Sequence, residues 1–155
     1  MRNIYEGDSM TGIVFTEEDK RLTVDILGYE FKDLSESDDV FDRNWLKVAF
    51  SYSDSVKSFK QVDPCLLSFE LGEIIESIHS LISGKKTAVL EKFTEPYLTL
   101  AITEIDHSYT FQISFVYDTK DNDWKEVCLC QTLNCEELKQ LNLQLKDFFQ
   151  RYPVR

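Results

Sequence analysis

The sequence predicts an α+β domain, an antiparallel sheet of about six to eight strands with two α-helices packed on one face. Three observations lead there. Apolar and polar residues alternate in several short runs, the period of a half-buried strand. The segments between these runs are too short to hold crossover helices, so neighbouring strands run antiparallel. Only two stretches switch to the helical period, one from Ser68 and one from Asn134.

The first strands are "TGIVF" and "LTVDIL", joined by the polar turn "TEEDKR" into a hairpin in which Leu22, Val24 and Ile26 alternate with Thr23 and Asp25. Gly28 is expected to end the second strand. "NWLKVAFSYS" reads as a third strand, anchored by Trp45 and Phe50, with Trp45 expected to face the core as large aromatics in alternating strands usually do. "KSFKQV", residues 57–62, is expected to pair with it. From Ser68 the helix carries Leu71, Ile75, Ile78 and Ile82 on one stripe, and Gly84 stands where a C-terminal cap belongs. "TAVLEKF", "YLTLAITEI" and "YTFQISFVYD" then form a meander, the last alternating Tyr109, Phe111, Ile113, Phe115 and Tyr117. The turn "DTKDND" leads into "WKEVCLCQTL". In the second helix Asn134 and Glu137 have capping-box spacing, Leu138, Leu141, Leu145, Phe148 and Tyr152 form the buried stripe, and Pro153 closes it.

A chain of 155 residues suits one core. Residues 1–12 are set apart as an N-terminal extension and 13–155 as a single domain. No apolar run approaches the roughly 20 residues of a membrane span, and "MRNIYEGDSM" lacks the apolar region of a leader, so a cytoplasmic protein is expected. Cys65, Cys128, Cys130 and Cys135 make no CxxC pair, and His79 and His107 do not complete a zinc set, so the thiols are expected to be small buried hydrophobes. Asp118, Asp121 and Asp123 lie in a turn without the glycine and distal glutamate of a calcium loop. The glycines open no phosphate loop. Neither histidine has a nucleophile to activate, one being placed on a helix and the other in the turn "EIDHSY". No catalytic residue, metal or cofactor is expected.

Charge is the informative feature. The net charge is −11, and the first 42 residues hold twelve acids against four bases. Nucleic acid and anionic membrane are poor partners for such a surface, because binding them relies on lysine and arginine; a basic protein is the natural complement. The acids concentrate in "DLSESDDVFD", where Asp33, Glu36, Asp38, Asp39 and Asp42 occur with no base among them. Two like charges about 4 Å apart repel by roughly 1 kcal/mol in water and more at a partly desolvated surface, so this crowding works against folding. Either the loop is a solvated segment that aids solubility, or it is a docking surface that steers and holds a basic protein. On the second reading those five residues bind the partner.

"FDRNWLKV" at 41–48, "EPYLTL" at 95–100 and "FFQRYPVR" at 148–155, with the helices in the same order, resemble the Wap-type immunity proteins of bacteria over about Phe15–Arg155. The resemblance implies a cytosolic, non-enzymatic inhibitor of the C-terminal toxin domain of a large secreted or cell-wall-associated protein, a contact-dependent toxin whose domain in the founding system looks like a tRNA-cleaving nuclease. Asp42, Asn44 and Trp45 match the family pattern, which assigns no toxin contacts. A basic nuclease would suit the acidic loop. Two other readings stay open: an acidic adaptor or self-assembling module, and a small hydrolase, which needs convergent titratable groups in a cleft.

Overall fold

The computed structural model describes residues 12–33, 39–119, 121 and 123–155. Eight strands and two helices follow in the order β1 (Ile13–Glu17), β2 (Lys20–Tyr29), β3 (Trp45–Ser53), β4 (Ser58–Leu67), α1 (Ser68–Ile82), β5 (Ala88–Lys92), β6 (Leu98–Ile105), β7 (Ser108–Asp118), β8 (Trp124–Leu133) and α2 (Cys135–Arg151). The strands form two antiparallel four-stranded sheets, β1-β2-β3-β4 and β5-β6-β7-β8, so a four-strand meander followed by a helix occurs twice. The fold is α+β, with the strands divided between two sheets. Both helices pack on each other, and their apolar stripes join both sheets in one core.

The alternation in β7 explains how the sheets are joined. Its inward residues stack on aromatics of the first sheet: Phe111 on Phe15 with ring centroids 4.9 Å apart, Phe115 on Phe50 at 4.8 Å, and Tyr117 on Phe59 at 4.1 Å. Where β1 and β8 approach, side chains replace a ladder: the Thr16 N–H donates to Gln131 Oε1 at 3.0 Å and the Cys130 N–H to Glu17 Oε1 at 3.0 Å.

Several expectations shift by physical causes. The first hairpin turns on Glu18 and Asp19 alone, because Glu17 and Lys20 pair across the strands and their side chains meet at 3.5 Å, so the polar residues continue the ladder. Gly28 lies inside β2, at a bulge. Pro64 is tolerated in β4 because that strand is an edge and carries its own bulge opposite Leu46 and Val48. Trp45 does not face the core: Leu46, Val48, Phe50 and Tyr52 take the inward positions, which leaves Trp45 half-buried on the opposite face. Cys65 is buried, but Cys130 is exposed and Cys128 half-buried, because Val127 and Leu129 hold the inward parity of β8, and Cys135 is half-buried at the start of α2. His107 stands in the β6–β7 turn as expected, with Asp106 and His107 both at positive φ, as a two-residue type I′ hairpin requires.

The helix ends are held by specific bonds. Glu70 is buried at the start of α1 and accepts from the Leu67 N–H at 3.0 Å and the Thr94 N–H at 2.9 Å, while its burial pushes the carboxyl above the usual range. Gly84 has φ +77° after the last turn and donates to Leu81 O. The reciprocal bonds of Asn134 and Glu137 cap α2 as expected. Among the described residues one buried group is poorly satisfied. Asn142 sits in α2 facing α1; its amide donates weakly to Ile75 O at 3.4 Å, and Oδ1 has no hydrogen-bond partner among the described residues. Asn142→Leu should therefore raise stability by about 1 kcal/mol, read as a higher thermal midpoint. A lower midpoint would show that the weak bond to α1 outweighs the orphaned oxygen.

Candidate partner-binding site

The acidic loop is carried on two stems that meet at one buried asparagine and one arginine. Within the second stem Asp39 Oδ1 accepts from the Phe41 N–H at 2.7 Å, and Asp39 O accepts from the Arg43 N–H at 3.1 Å. These bonds close a 3₁₀ turn at Asp42–Asn44 and bury Asn44 completely. The Asn44 amide donates to Val40 O at 2.8 Å and to Arg155 O at 3.3 Å, and its Oδ1 accepts from the Arg155 N–H at 2.8 Å.

Arg155 completes the latch. Its guanidinium donates to Phe31 O at 2.6 Å and Lys32 O at 3.3 Å on the first stem, and to Arg43 O at 2.7 and 2.9 Å on the second. It also lies 3.7 Å from the centroid of the Tyr29 ring. A planar fork with several fixed donors suits this task, and a lysine ammonium would not span both stems in the same way. The Tyr29 hydroxyl donates to Pro153 O, and Ser68 Oγ donates to Tyr152 O at 2.5 Å, fastening the segment after α2 to β2 and to the start of α1.

Of the five residues expected to bind a partner, Asp33 and Asp39 are exposed at the two stems and Asp42 is half-buried in the 3₁₀ turn. Glu36 and Asp38 lie outside the described residues. Between Asp39 and Asp42 the turn presents two apolar side chains to solvent, Val40 at 52% and Phe41 at 45% exposure. The Phe41 ring meets Phe69 edge-on, with centroids 5.7 Å apart. Exposed apolar groups ringed by charge are the usual make-up of a protein interface. The pair was visible in the sequence as an apolar "VF" inside an acidic run. The latch had no comparable signal, although "FDRNWLKV" and "FFQRYPVR" turn out to meet in space through Asn44 and Arg155.

Carboxylates elsewhere serve local structure. At the β3–β4 turn Asp54 accepts from the Tyr52 hydroxyl at 2.7 Å and from the Val56 and Lys57 N–H groups at 2.8 Å, which together hold its carboxyl below the usual range. Among the described residues no three His, Cys, Asp or Glu side chains are placed to hold a metal, and no helix is long and apolar enough to cross a membrane.

A family model described as the immunity protein WapI-like family matches residues 13–153. No curated protein matches the chain. Among solved structures, WHY1 from Arabidopsis thaliana is similar at 17% identity, covering 92% of this chain and 90% of that one, with a TM-score of 0.46.

Proposed function

The chain belongs to the immunity protein WapI-like family, and from that premise we propose that it binds a toxin domain in the cytoplasm and neutralises it without catalysis. The family match carries this reading. Residues 13–155 are the binding unit, and Asp33, Glu36, Asp38, Asp39 and Asp42 are the residues that bind the partner, with Val40 and Phe41 exposed between Asp39 and Asp42. The partner's surface is basic, as a nuclease's must be to hold its substrate, and these acids occupy that surface in the substrate's place. Latched stems favour this use, since a rigid support lowers the ordering cost of association.

Co-expression with the toxin domain encoded beside this chain's gene tests the function: cells should survive with the protein and die without it. For the loop, changing Asp33, Asp39 and Asp42 together to Asn should slow association with that domain about tenfold at low salt and flatten the salt dependence. An unchanged rate and salt slope would exclude the loop as the docking surface.

A further inference from the structure

The surface that begins at Phe41 continues past Phe69 into an open groove of about 810 Å³ between α1, β5 and α2. Its floor is apolar, made by Phe69, Gly72 and Phe149. A Cβ on Gly72 would stand 3.3 Å from Phe149 Cε2. A glycine inside a helix costs about 1 kcal/mol relative to alanine, and here it lets Phe149 lie against the backbone of α1 and leaves a trough beside it. The rim is acidic: Glu73 and Glu76 are exposed on successive turns of α1, and Glu91 of β5 is held to the wall by the Ser77 hydroxyl. Lys146 stands alone against these three carboxylates.

We propose that the groove receives a cationic segment of the toxin domain, a lysine or arginine laying its methylene stem over Phe69 and Phe149 with its charged head among Glu73, Glu76 and Glu91. Long basic side chains are suited to an aromatic floor with an acidic rim, because stem and head are satisfied separately. Phosphate-bearing ligands meet repulsion from the same carboxylates. A second copy of this chain, at net charge −11, meets it as well. This inference rests on the toxin-binding reading and adds to the loop a second contact, joined to it through the Phe41–Phe69 pair.

The test uses the full chain and an inactive variant of the toxin domain encoded beside its gene, with dissociation followed by surface plasmon resonance and cell survival scored with the active domain. Glu73→Lys with Glu76→Lys should speed dissociation tenfold or more while leaving the melting temperature unchanged, as both positions are exposed. Asp123→Lys with Glu126→Lys, an equal change of net charge at exposed positions near the start of β8, should alter dissociation by less than about twofold if the contact is local. Equal effects of the two pairs, or a groove variant that dissociates like the wild type, would overturn the groove while leaving the toxin-binding reading intact. A wild-type chain that neither binds nor protects would overturn that reading and the groove with it.

Discussion

Phe115→Ala should lower the unfolding free energy by about 3–5 kcal/mol. Phe115 is 1% exposed in β7, the strand whose aromatics meet the other sheet. Its ring lies 6° from parallel with Phe50 of β3 and within 6.5 Å of Phe59, Tyr52 and Tyr117. Truncation removes the transfer free energy of the ring, leaves a cavity walled by other rings that can collapse only in part, and takes away the stacking. Against a typical domain stability of about 5–15 kcal/mol this is a large share. In urea titrations the midpoint should fall with little change in slope, and Phe115→Leu should recover much of the loss. A cost under about 1.5 kcal/mol would show that the helices alone hold the two sheets together.

The same strand shows which parts of the fold could be read in advance. Five inward aromatic or aliphatic residues at every second position of β7 specify a strand and its buried face, because side-chain direction alternates strictly along extended chain. Both helices were legible for the same local reason, as Leu71, Ile75 and Ile78 recur at helical spacing and Asn134 and Glu137 lie three apart. Face assignment failed at Trp45, because the strand's parity is set by the inward run from Leu46 to Tyr52 and by the burial of Asn44 in the turn before it, neither a property of Trp45 itself. Cys128 and Cys130 were misjudged likewise: the type of residue suggested burial, as it rightly did for Cys65, and the parity of β8 decided otherwise. Of the candidate site, its charge was visible and its support was not. Asn44 and Arg155 are 111 residues apart and Arg155 reaches carbonyls up to 124 residues away, so no periodicity links them.

That support has a measurable consequence. Asn44→Ala should cost about 2–3 kcal/mol, because it leaves the Val40 carbonyl and the Arg155 N–H without partners beside a vacated, fully buried site. Arg155→Lys should cost less, since the charge over Tyr29 survives while the bridge between stems is lost. The two variants share a second effect that a merely buried asparagine would not produce. Amide exchange at Phe41 and Arg43, whose N–H groups bond to Asp39, should accelerate in both, with the exchange of the β7 amides changed far less in Arg155→Lys. Association with the toxin domain should slow in both although every carboxylate of the loop remains. If exchange at Phe41 and Arg43 quickened and association did not change, the loop would work as a flexible polyanion, and the latch would serve stability alone. If both change together, the position of Val40 and Phe41 matters to the partner as much as the charge around them, because only a held turn keeps those apolar side chains facing outward between Asp39 and Asp42.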